Sequence, residues 1–239
     1  MTDSLGVSCY NCGENYCGII LSYGRLQMLL NRYTPKTIIY DVYLLFDYLE
    51  GKGNYEYLSR LKPYYHEKGI DSIFFDIDPL ERYKMESGMY RHNSSFLTDC
   101  ISYFLGKTTS KELRGYMPIN KKADTLKLRK NYIAFDTKKD FVFDPLKIEY
   151  MNKFLDKVKG IDVVFVVSPV WYGQDSASLD IVRKTCKERG IKLIDYSNDP
   201  KYVHNNEYFR DGFHMNAKGA DVFTQDLIRE LKGLRKTLF

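Results

Sequence analysis

Apolar residues recur at Ile19, Tyr23, Leu26, Leu30 and Tyr33, spaced by four and three. That spacing puts them on one face of a helix, which Pro35 ends. From Thr37 to Phe46 the period changes, and the run is β-branched, aromatic and nearly continuous in apolar character. It predicts a parallel strand covered on both faces. A second such run, Val163 to Val167, lies between Asp162 and Ser168-Pro169 and predicts the central strand; Ile191 to Tyr196 predicts the next. Helices are expected between them. One starts at Asp144-Pro145, where Asp can accept from the free N–H groups at a helix start and Pro gives up a bond the first turn never makes. Met151, Phe154, Leu155 and Val158 form its inner face and Gly160 closes it. Another runs from about Ser176 to Arg189 and stops at Gly190. The last aligns Ala220, Phe223, Leu227, Leu231 and Leu234 on one side.

Strands alternating with helices predict an α/β fold with a parallel sheet and right-handed crossovers. Before the first helix, Gly6 to Cys9 reads as a short extended run leading into a turn at Asn11-Cys12-Gly13-Glu14-Asn15. Residues 50–143 break the pattern with tyrosines and with Gly51, Gly53, Gly69, Gly88, Gly106 and Gly115; Glu81 to Tyr90 and Ser95 to Leu105 read as short helices. The simplest organisation is one domain over 1–239 with an inserted helical cap at about 50–143, of the kind that shapes access to a site. There is no internal repeat and no low-complexity tract.

The composition supports a folded chain, because 44% apolar residues in 239 suffice for a core and argue against disorder. The formal charge of +5 is spread along the chain with acidic residues interspersed. Even the basic run Lys121-Lys122 through Lys127, Arg129 and Lys130 reads as a solvated face, so no nucleic-acid partner is expected. No stretch approaches about 18 consecutive apolar residues, so no membrane insertion is expected. The N-terminus does not read as a signal peptide. The five cysteines, at 9, 12, 17, 100 and 186, are too scattered for a disulfide scaffold. Cys9-x-x-Cys12 has no second pair at zinc-finger spacing, so structural thiols are the simpler reading.

The chemistry concentrates in Tyr208-Phe209-Arg210-Asp211-Gly212-Phe213-His214-Met215-Asn216-Ala217-Lys218-Gly219-Ala220, between the last predicted strand and the last helix. Open α/β sheets build their sites at the carboxyl ends of strands. A neutral imidazole there can take a proton from a nucleophile, while a nearby carboxylate fixes its tautomer and stabilises the imidazolium. His214 and Asp211 are the residues placed to do this.

Asp-Gly-x-His followed by Met-Asn-Ala-Lys-Gly-Ala resembles the C-terminal block of SGNH (GDSL-type) hydrolases. Leu5-Gly6-Val7-Ser8-Cys9 and the strand Lys36 to Phe46 are similar in order and spacing to the family's second and third blocks. The resemblance spans residues 5–48 and 145–234. It implies a three-layer, flavodoxin-like fold, a Ser-His-Asp triad with His214 as base and Asp211 as its orienting acid, and no cofactor. The implied activity is hydrolysis of an ester through an acyl-enzyme. A small molecule or a carbohydrate bearing an acetyl or short acyl group is the implied substrate, with Trp171 of Trp171-Tyr172-Gly173 on the rim, where it can stack on a sugar.

The chain also departs from the family's pattern. The family's serine follows a strand upstream of the block that Gly6-Val7-Ser8-Cys9 resembles, and five residues precede Gly6 here. One expectation is that the sequence begins downstream of the natural start, which leaves the compartment open, export included. The other is that Ser8 is the nucleophile. Cys9 stands where the family commonly has Gly, and its backbone N–H is the expected oxyanion donor. The third block's Gly-x-Asn-Asp is replaced by Tyr43-Leu44-Leu45-Phe46-Asp47, leaving Asn11 as the candidate second donor. Neither a Gly-x-Ser-x-Gly elbow nor a phosphate-binding glycine loop occurs.

A non-catalytic binding module on the same fold is the main rival. A metal-dependent hydrolase is the third reading, with His204, Asp211 and His214 as ligands at spacings that match no standard zinc signature. Asp76-Ile77-Asp78 reads as a helix cap near Pro79, and His66 and His92 as packing or surface residues of the insertion.

Overall fold

Three of the apolar runs pair side by side. In the computed structural model, which describes residues 1–14, 16–51, 55–93, 115–116, 118–120, 142–174 and 176–238, the strands are β1 (Thr37–Asp41), β2 (Asp162–Val167) and β3 (Lys192–Asp195). They form a parallel sheet in the order β1-β2-β3, with Tyr40 opposite Phe165 and Phe165 opposite Leu193. The helices are α1 (Thr2–Leu5), α2 (Ile19–Leu30), α3 (Leu44–Asp47), α4 (Asp71–Ile77), α5 (Glu81–Lys84), α6 (Gly88–His92), α7 (Pro145–Lys157), α8 (Asp180–Arg189) and α9 (Ala217–Leu238). A 3-10 segment, Glu56–Tyr64, precedes α4, and another, Ser176–Leu179, leads into α8.

Successive side chains of a strand face opposite ways, and β2 divides its residues accordingly. Phe165 and Val167 join Ile19, Leu26, Tyr150, Phe154 and Val182 from α2, α7 and α8 in one buried cluster. Val164 and Val166 join Ile194, Tyr196, Leu227 and Leu231 under α9, with Met1 and Leu5 packed against them. Helices therefore cover both faces of the sheet, as the α/β pattern predicts. No helix among the described residues is long and apolar enough to cross a membrane.

The helix starts and stops follow local chemistry. Asp144 Oδ1 accepts from the N–H groups of Leu146 (2.9 Å) and Lys147 (3.3 Å), with Pro145 at the first helical position. Gly190 ends α8 at φ 65°, a left-handed conformation that costs glycine little. The two segments of the Asp76–Asp78 motif separate: Asp76 accepts from Tyr150 Oη and Lys153 Nζ, while Asp78 Oδ1 accepts from Leu80 N–H at the turn before α5.

Several expectations need correction. The strand predicted to Phe46 ends at Asp41. Asp47 is buried and accepts from Tyr43 N–H and Tyr40 Oη–H, both at 2.8 Å, which bends the chain into the α3 turn instead. Nor is β1 covered on both faces along its length. Val42 N–H donates to Val166 O and Lys36 O accepts from Asp162 N–H, so Thr37, Ile39 and Asp41 carry their backbone groups to the outer edge, and all three are exposed. The α2 helix stops at Leu30, leaving Tyr33 exposed beyond it. A helical turn, α1, precedes the expected extended run at Gly6. The segment Glu81 to Tyr90 divides into α5 and α6, and Ser95 to Leu105 lies outside the described residues.

Of the insertion, residues 55–93 share the core of α2 and α7 through Leu58, Leu61, Tyr65, Ile70, Ile73, Phe74 and Met85. Another piece reaches the far side, where Ile119 O accepts from Ala217 N–H (2.7 Å) at the start of α9.

Candidate functional site

The chain leaving β3 turns through residues 196–208 and then folds into a tight loop before α9. A bridge between Phe209 and Met215 closes that loop, with Arg210 N–H donating to His214 O (2.8 Å). Asn216 anchors its base. Its Oδ1 accepts from Gly219 N–H (3.0 Å) as the cap of α9, and its Nδ2 donates to Glu207 O (2.8 Å) and Phe209 O (3.3 Å). Asn216 is buried, so these bonds are shielded from water. Gly219 permits the close approach, since a Cβ there would lie 2.1 Å from Tyr208 O.

Within this loop Asp211 and His214 come together. Asp211 Oδ1 accepts from the backbone N–H groups of Phe213 and His214, each at 2.9 Å. His214 Nδ1 lies 2.9 Å from Oδ1 and 3.0 Å from Oδ2 of the same carboxylate. Partial burial works to raise the Asp211 pKa, but the Phe213 N–H bond and the His214 bonds outweigh it and hold the carboxyl below its ordinary value. An ionised Asp211 cannot donate, so in the neutral ring Nδ1 carries the proton and Nε2 keeps its lone pair. The His214 side chain is 58% exposed. The arrangement is an oriented imidazole base open to solvent, and among the described residues its ring hydrogen-bonds Asp211 alone.

The loop after β2 forms the adjoining wall. Trp171 N–H donates to Gly212 O (3.0 Å), and its O accepts from His204 N–H (2.8 Å). Its Nε1–H donates to Asn206 Oδ1 (2.8 Å). Tyr172 packs so tightly over Gly212 that a Cβ there would lie 1.7 Å from the phenol oxygen. The Tyr172 and Phe213 rings meet edge-on at 5.5 Å. Trp171 is thus placed beside the dyad loop.

The other expected site residues are engaged outside the dyad's hydrogen bonds. Ser8 is exposed after α1, and no hydrogen bond joins it to the His214 ring. The Cys9 N–H, expected as an oxyanion donor, already donates to Thr2 Oγ1 (3.2 Å). Asn11 Oδ1 closes a turn by accepting from Gly13 N–H (2.8 Å). His204 packs edge-on against Trp171 at 4.8 Å, and it makes no hydrogen bond with the dyad. Among the described residues no group of three or more His, Cys, Asp or Glu side chains can hold a metal ion. His66 and His92 line a shallow groove with Arg91 and Lys68 in the insertion.

Two features went unread in the sequence. Asn216 had a visible signal, an Asn directly before the last helix. The contact of Ser168 with Asp41, at 2.7 Å between Ser168 Oγ and Asp41 Oδ2, joins residues distant in sequence and left no local pattern.

The chain matches no protein-family model, no curated protein and no solved structure. Its fold and site define an α/β protein with a carboxylate–imidazole dyad beyond the carboxyl end of its sheet.

Proposed function

We propose that this protein is an SGNH-like acyl hydrolase of three-layer, flavodoxin-like type that cleaves a short acyl ester, such as an acetyl group on a carbohydrate. The observation that carries the reading is the Asp211–His214 pair, with Nδ1 held at 2.9 and 3.0 Å by a carboxylate that two backbone N–H groups keep in place. In the reaction, Nε2 takes the proton of a serine hydroxyl as its oxygen attacks the acyl carbonyl carbon. The leaving alcohol receives that proton from the imidazolium, and water then releases the acyl group by the same route in reverse order. Ser8 is the candidate nucleophile in this chain. Trp171 offers an aromatic surface for a sugar ring.

A binding module on the same fold is the second reading. It is favoured by the His214 ring bonding Asp211 and not Ser8, and by the engagement of Cys9 N–H with Thr2, which removes an oxyanion donor. Loss of one such donor typically costs on the order of a hundredfold or more in rate.

Turnover of p-nitrophenyl acetate and of an acetylated sugar, by wild type, Ser8→Ala and Asp211→Asn, separates the readings. The hydrolase reading expects hydrolysis that falls steeply in Asp211→Asn. Activity retained by Ser8→Ala removes Ser8 as nucleophile, and binding of the sugar without turnover by any form establishes the module.

A further inference from the structure

Asp41 ends β1 and Ser168 follows β2, so the two meet across the carboxyl ends of neighbouring strands. Asp41 Oδ1 accepts from Ser168 N–H at 3.1 Å, and Oδ2 accepts from Ser168 Oγ–H at 2.7 Å. A carboxylate taking both a backbone and a side-chain donor from one residue fixes that residue's position and orientation. Pro169 and Val170, both buried, carry the constraint forward. Three residues after Ser168, Trp171 N–H holds Gly212 O, and Tyr172 packs on Gly212 itself. At its far end the strap is clasped by Asn198, whose side chain accepts from Gln174 N–H (3.1 Å) and donates to Gln174 O (2.6 Å). Residues 168–174 thus form a strap pinned at both ends and pressed in its middle against the residue beside Asp211.

We propose that Asp41 is a positioning residue for the dyad: by holding Ser168 it sets the 168–172 strap against Gly212 and so fixes the orientation of Asp211 and His214. The claim concerns geometry and holds whether the site cleaves its ligand or only binds it. Packing around the Asp41 carboxyl raises its pKa to about 6 by desolvation, against the two Ser168 bonds, although the residue retains a solvent-facing side. Asp47, itself buried, is the neighbouring carboxyl that feels its charge.

Trp171 is the sole tryptophan, so its emission reports the strap selectively. The test follows that emission, together with the NMR titration of the His214 ring, in Asp41→Ala and Asp41→Asn at matched conditions. In Asp41→Ala we expect a red-shifted emission and a displaced His214 midpoint. Asn keeps an oxygen for the Ser168 N–H and an amide for Ser168 Oγ, so Asp41→Asn restores both signals to near wild type. A folded Asp41→Ala with unchanged emission and an unchanged His214 midpoint overturns the proposal, as does an equal change in the two variants. Should Asp41→Ala fail to fold, Ser168→Ala, which deletes only the hydroxyl bond, is judged by the same two signals.

Discussion

The core on one face of the sheet and the loops beyond the carboxyl ends of its strands are built for different tasks. On the α2 and α7 side, Phe165, Tyr150, Ile19 and Ile73 are almost wholly excluded from water, and the described insertion residues thicken the same core. Even the charged groups there are enclosed: Lys147 is 0% exposed and donates to Leu45 O and Leu49 O, beside the buried Asp47. Beyond the carboxyl ends of the strands, by contrast, Asp211 and His214 remain open to solvent and are held by backbone hydrogen bonds and one buried Asn216. The first region spends apolar area on stability; the second uses a few directed polar contacts to aim side chains. Substitutions should therefore sort by region, with stability lost on one side and chemistry on the other.

The largest stability effect belongs to the core. Phe165→Ala should cost about 3–5 kcal/mol in denaturant unfolding, from lost burial and the cavity left behind, while the dyad's bonds persist in any folded fraction. Gly212→Ala sharpens the comparison, because its Cβ meets the Tyr172 phenol. It should cost about 1–3 kcal/mol by overpacking and disturb the His214 titration as well. Asn216→Ala should cost about 1–2 kcal/mol through the lost cap and also loosen the loop, seen as faster amide exchange at Phe213 and His214.

A pH effect is confined to the core side. Burial raises the Asp47 pKa to about 7, against the bonds from Tyr43 N–H and Tyr40, whereas an unfolded Asp titrates near about 3.9. The folded state then binds more protons than the unfolded state between these values, so Asp47 makes stability fall as pH rises from about 4 through about 7. Relative to wild type, Asp47→Asn should become progressively less destabilising over that window in unfolding curves; a constant difference would contradict the assignment. The least stability change is expected for His214→Ala, within about 0.5 kcal/mol at an exposed position, together with the greatest loss of chemistry.

Much of this division was legible in the chain. Alternating apolar runs announced the parallel sheet, and Asp144-Pro145 and Gly190 marked helix ends, because these signals are local. Asp211 and His214 were readable for the same reason, three residues apart in one loop. What escaped was non-local or tertiary. The strand after Lys36 stops early because a buried Asp47 reaches back to Tyr43 and Tyr40, and apolar content does not distinguish that turn from more strand. Cys9 loses its free N–H to Thr2 because α1 folds back over it, which no spacing rule anticipates. Asp41 and Ser168 are 127 positions apart and meet only through β1–β2 pairing.

The most direct test of the dyad as a working base is covalent labelling. Purified wild-type protein and His214→Ala are treated with a fluorophosphonate, and the intact mass and modified peptide are read by mass spectrometry. An activated serine paired with His214 gives one adduct on wild type that is lost in His214→Ala, and the peptide identifies whether Ser8 bears it. An adduct of equal yield in both forms, or none in either, would contradict the claim that Asp211 and His214 activate a serine in this protein.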